Sequence, residues 1–182
     1  MKMLLYRNFT GLKRDPLVFK AKIGQTVFIN LLCLALFWDL RGNSFNEQMG
    51  LAGFLFFNSI FTLMNNMMGC ILTFQNERPI FLREQANRNY SVFAYYNAKT
   101  FVEIPTLIFL PLLQTIIIYF GVGLTVTASQ FFYFILITFL ISVTSTSLGY
   151  FISSIFEDAE TATAIAPSIM MPFILFAGFF SN

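Results

Sequence analysis

Five apolar runs follow one another along this chain, over residues 18–38, 49–73, 93–120, 130–156 and 161–180. Each reaches the roughly 20 residues that an α-helix needs to cross a bilayer. A chain with that pattern has few folds open to it. In hydrocarbon every backbone amide and carbonyl must find a partner within the protein, which leaves helices or a closed barrel. Continuous apolar runs of this length read as helices rather than as alternating barrel strands. Composition agrees, with 57% hydrophobic and only 11% charged residues, against roughly 25% charged in an ordinary soluble domain. The expected fold is an all-α polytopic membrane domain occupying residues 1–182, with five transmembrane helices.

The longest polar interruption lies between the second and third runs. Residues 74–105 carry Glu77, Arg78, Arg83, Glu84, Arg88, Lys99 and Glu103. Residues 74–92 read as a loop holding a short helix, with Ile80, Phe81 and Leu82 on one side and Arg83, Glu84 and Arg88 on the other. Pro105 and Pro111 fall inside the third run, where proline removes a helix hydrogen bond and kinks the backbone. Lys2, Arg7, Lys13, Arg14, Lys20 and Lys22 precede or open the first run, and Arg78, Arg83, Arg88 and Lys99 sit in the interruption. In a five-span topology these ten share one side of the membrane, with Arg41 alone opposite. The excess of basic residues predicts a cytoplasmic N-terminus and a cytoplasmic 74–92 segment.

Residues 1–16 place Leu4, Leu5, Phe9 and Leu12 at helical spacing among Arg7, Lys13 and Arg14. That suits an amphipathic helix on the membrane surface or a simple basic flank. The same opening is no secretory signal, since basic residues continue past its short apolar piece. Asn58, Asn65 and Asn66 lie deep in the second run; amides there bind a neighbouring helix or line a pathway. Residues 142–154 are rich in Ser, Thr and Gly, which permits close helix approach. There is no histidine, and Cys33 and Cys70 both lie in apolar runs. The chain has no phosphate-binding glycine loop, dinucleotide turn or zinc spacing, and no hydrolytic constellation. On residues alone, transporter, channel and structural subunit all stay open.

The order of the charged residues is more specific. ERPIFLRE (77–84), NYS (89–91) and AYYNAKTFVEIP (94–105) together resemble the membrane domain of the G subfamily of ABC transporters, the White/sterol half-transporter group. The residues that carry the likeness are Glu77, Arg78, Phe81, Arg83, Glu84, Tyr90, Ser91, Tyr95, Tyr96, Lys99, Glu103 and Pro105. The resemblance implies that residues 1–16 form the connecting helix and that 74–92 is the coupling hairpin. Glu77, Arg78, Phe81, Arg83 and Glu84 would then meet an ATP-binding domain. It also implies that Met64 and Asn65 face a substrate path, that Phe179 and Phe180 close its outer end, and that Pro105 marks a structural kink. The implied partners are an ATP-binding domain, a second half-transporter and the lipid bilayer, with no nucleic acid. ATP and Mg would be bound by that ATP-binding domain, which this sequence does not include; the chain itself carries no catalytic residue, metal ligand or cofactor. The implied activity is export of lipids, sterols or other amphipathic compounds, as an ABC-type transport ATPase once complete. The alternative is a shortened, non-transporting paralogue that regulates complete half-transporters. The family's extracellular loop and sixth span are also expected to be missing, which makes the sequence look like a fragment, a truncated gene model or a shortened paralogue.

Overall fold

The computed structural model describes residues 16–37, 45–88, 90–123 and 128–177. The connecting helix expected before Pro16, and Phe179 and Phe180, lie outside these residues. Five helices follow in order: α1 (Pro16–Leu36), α2 (Phe45–Ala86), α3 (Val92–Gly121), α4 (Ala128–Ile155) and α5 (Ala159–Leu175). Among the described residues there are no strands. α1 to α4 are long and apolar enough to cross a membrane, so the protein is a polytopic, all-α membrane protein. α5 is apolar but 17 residues long, about 26 Å at the usual helical rise. It ends where the Phe176 amide turns back to the Ile174 and Pro172 carbonyls.

The largest departure from expectation is α2. The second run was expected to end at residue 73 and give way to a loop, but the helix continues without a break to Ala86. The reason is partly local: Gln, Glu, Arg, Leu and Ala, which dominate residues 75–86, are good helix formers. Pro79 lies inside this stretch and removes only the bond to the Gln75 carbonyl. At 42 residues α2 is about 63 Å long, roughly twice the thickness of a hydrocarbon core. A large part of it therefore projects beyond any bilayer it crosses. α3 likewise runs unbroken through Pro105 and Pro111, the first exposed and the second buried.

The described residues group into two compact units. In the first, α1 packs on α3. Thr26, Asn30, Cys33 and Leu34 form the buried stripe of α1, and Leu110, Gln114, Ile118 and Tyr119 belong to that of α3. Both follow the three-and-four spacing of a helix face. Phe19 meets Phe109 with ring centroids 6.0 Å apart. Thr26 donates to the Lys22 carbonyl at 2.8 Å and Asn30 to the Thr26 carbonyl at 2.6 Å. These polar groups are thus satisfied on their own helix, as hydrocarbon requires. A side chain at Gly121 would collide with the end of Leu34.

In the second unit, the middle of α2, the second half of α4 and α5 share a core of Met67, Ile71, Ile152, Ala162, Ala166 and Met170. The small residues of α4 act as expected. Ser142, Ser145 and Ser153 are fully buried. A Cβ added at Gly149 would lie 2.9 Å from both the Met67 carbonyl oxygen and the Cys70 Cβ. The α2 and α4 backbones therefore approach closely at a point where glycine has been kept.

Candidate functional site

Exposure along the charged part of α2 follows a helical period. Gln75 is 7% exposed. Glu77, Arg78, Phe81, Glu84 and Gln85 are half-buried, while Asn76, Pro79, Ile80, Leu82, Arg83 and Ala86 are exposed. The expectation that Ile80, Phe81 and Leu82 share one side is therefore corrected. Successive residues on an α-helix are about 100° apart, so three in a row spread over about 200°. Phe81 turns partly inward, whereas Ile80 and Leu82 stand outward at 51% and 54% exposure, beside Arg83.

Two side chains on the inner face reach α4. Gln75 Nε2 donates to the Ser153 carbonyl at 3.0 Å and to the Phe156 carbonyl at 2.8 Å. Arg78 Nη1 donates to the same Phe156 carbonyl at 2.8 Å. The last carbonyls of a helix lack intrahelical donors and carry the negative end of its dipole. α4 has no basic residue in its own last turn, so the compensating cation comes from α2. Higher up, Asn66 Nδ2 donates to Ser142 Oγ at 3.1 Å and Cys70 Sγ to the Thr146 carbonyl at 3.4 Å.

At the far end of α2, Tyr90 closes the hairpin. Its hydroxyl donates to Glu84 Oε2 at 2.7 Å, and Gln85 Nε2 donates to the Tyr90 carbonyl at 3.1 Å. Its ring stacks on Tyr95 at 5.9 Å. Arg88 sits at φ 52°, a left-handed conformation uncommon for a side-chain-bearing residue. Its amide donates to the Gln85 carbonyl at 2.9 Å. Ser91 then caps α3, its side chain accepting from the Ala94 amide at 3.3 Å. Serine is well suited to that position because it satisfies an orphan amide of the first turn.

The predicted residues thus divide. Arg78 is tied to α4, Glu84 is tied to the hairpin, Arg83 is exposed, and Glu77 and Phe81 lie half-buried between them. Met64 packs against the core of the second unit, and Asn65 beside it is half-buried. Of the amides in the second run, Asn66 acts as interhelical glue. Gln75 was missed as a site residue. Its signal was its position one turn before Arg78, on the same helix face. Among the described residues no group of three or more acidic or thiol side chains is placed to hold a metal ion.

The whole chain, residues 1–182, matches the model of the ABC-2 type transporter family. The chain belongs to that family. It is 30% identical to Protein white of Drosophila melanogaster over 187 residues, covering all of this chain and 26% of that protein. It is 33% identical to ABC transporter G family member 1 of Dictyostelium discoideum over 186 residues, which is 99% of this chain and 23% of that protein. A third relative is the ABC transporter ATP-binding protein/permease wht-1 of Caenorhabditis elegans, 30% identical over 97% of this chain and 26% of that protein. The chain spans about a quarter of the length of these relatives. It is a membrane domain of the ABC-2 transporter type, similar to part of the G family relatives.

Proposed function

We propose that this ABC-2 membrane domain is the transmembrane part of an ATP-driven exporter of lipids, sterols or other amphipathic compounds. The observation that carries the reading is α2, a single helix running from the core of the second unit out to the charged extension. A continuous helix turns movement at one end into rigid-body tilt at the other. The exposed side of the extension, centred on Arg83 with Ile80 and Leu82 at its two edges, is the contact for an ATP-binding domain, with Glu77 and Phe81 beside it. The relative named as an ATP-binding protein/permease supports such a pairing. ATP and Mg belong to that domain. The N-terminus and the extension face the cytoplasm, a reading supported by the ten basic residues assigned to one side. Two half-transporters enclose the substrate path, which passes Met64 and Asn65 and is closed outside by Phe179 and Phe180, and Pro105 kinks α3.

The contact is tested by co-purification. Ile80→Ser, Leu82→Ser and Arg83→Ala combined should cut recovery of the ATP-binding domain about tenfold, since a few exposed anchors carry most of an interface. All three side chains are exposed, so the membrane domain itself should remain folded. Undiminished recovery would place the contact elsewhere. Glu84→Ala should leave the domain bound but separate ATP hydrolysis from transport. Tyr90→Phe, which removes the same 2.7 Å bond, should reproduce that defect in weaker form.

A further inference from the structure

The bonds from Gln75 and Arg78 sit at a mechanically distinctive place. Immediately after them comes Pro79, which leaves the Gln75 carbonyl without its helical donor and makes this the easiest point for α2 to bend. A push delivered to the extension beyond Pro79 would be absorbed there if the preceding turn were loose. It is not loose. Gln75 is almost wholly buried, and with Arg78 it places three hydrogen bonds on the end of α4. The common acceptor, the Phe156 carbonyl, lies one residue beyond α4 and three before α5 begins. The Phe156 side chain packs against the core shared by α2, α4 and α5. Everything held by this clamp therefore belongs to the turn that joins α4 to α5.

We infer that Gln75 and Arg78 form a fulcrum at Pro79, which routes motion of the charged extension into the α4–α5 pair instead of letting it die in a bend of α2. Arg78 is then a positioning residue that works through the Phe156 carbonyl, and Gln75 shares the role. Neither is a docking residue for the soluble partner. The routing rests on the proposed function, because it needs a partner to supply the push. The clamp does not.

The test uses spin labels at two exposed positions, Leu82 beyond the proline and Glu157 in the α4–α5 turn, in the protein assembled with its ATP-binding domain in lipid nanodiscs. Without nucleotide, the distance distribution between the labels should be narrow. In Gln75→Leu/Arg78→Leu it should broaden about twofold, as expected of a helix freed to bend at proline. Gln75→Leu alone should broaden it less, and provides the measurement if the double variant does not fold. Arg78→Lys, which keeps a cationic donor, should restore most of the narrow distribution in an otherwise native chain. A distribution unchanged in the double variant, or in Gln75→Leu where that variant stands in, would overturn the clamp. On trapping with ATP and vanadate, the native distance should stay within its original width while the clamp variants shift. A native pair that moves apart on trapping would overturn the routing. Failure of the native chain to bind an ATP-binding domain at all would sink the proposed function and the routing together, and the nucleotide-free contrast would still decide the clamp.

Discussion

The α1–α3 and α2–α4 packings solve the same problem in opposite ways. Between α1 and α3 the contact combines bulky side chains such as Leu34, Leu110 and Ile118 with Cys33 and the polar Thr26 and Asn30, and Thr26 and Asn30 turn their polar groups back onto α1. Between α2 and α4, beside the apolar core of Met67, Ile71 and Ile152, serines, a glycine and a cysteine let the backbones approach closely, and the polar groups of Asn66, Cys70, Gln75 and Arg78 cross from one helix to the other. In lipid there is no hydrophobic drive between helices, so packing and interhelical hydrogen bonds decide register. A surface of large flexible side chains tolerates small displacement. A close backbone approach pinned by crossing bonds does not. The pinned pair is also the one that carries the charged extension.

The comparison can be broken most directly at the two glycines. Gly149→Leu should cost about 3 kcal/mol or more, because the added side chain meets backbone and overpacks a tight contact. Gly121→Ala should cost about 1 kcal/mol or less, since it meets the end of a leucine that can change rotamer. Thermal unfolding in detergent measures both, and equal costs would erase the distinction. A smaller effect separates the amides. Asn66→Leu, which loses the bond to Ser142, should cost about 0.6–2 kcal/mol. At Asn30, buried and bonded only to its own helix, the cost of Asn30→Leu should instead come from overpacking by the larger side chain, about 1–3 kcal/mol, and Asn30→Asp, which keeps the volume, should leave the α1–α3 register unchanged in cysteine cross-linking. Smallest is Phe19→Leu, expected to lose about 0.5–1 kcal/mol of ring contact without changing cross-linking between cysteine pairs placed across α1 and α3. Altered cross-linking would mean that this face, too, holds a fixed register.

Much of this was legible in the sequence. The apolar runs located α1, α3 and α4 to within a few residues, because run length in hydrocarbon dictates a helix. The cluster of small residues over 142–154 identified the close approach of α4, since small side chains are what such an approach requires. The motif residues from Glu77 to Pro105 pointed to the family. What misled was the charge in residues 74–92. Charge marks the edge of the apolar layer, which is not the end of the helix. A helix has no reason to stop at that edge when the residues beyond it favour helix and find partners. The grouping of Ile80, Phe81 and Leu82 failed for a simpler reason, the 3.6-residue turn.

The amino-acid sequence by itself determined that the chain is helical, membrane-spanning and interrupted by one charged segment, because those properties follow from the chemistry of consecutive residues. Only the tertiary structure decided what that segment does with its two faces. Gln75 and Arg78 find their acceptors 78 residues or more further along the chain, and no local spacing encodes a bond to a backbone carbonyl on another helix. Such a bond exists only once α2 and α4 have packed closely enough for the side chains to reach.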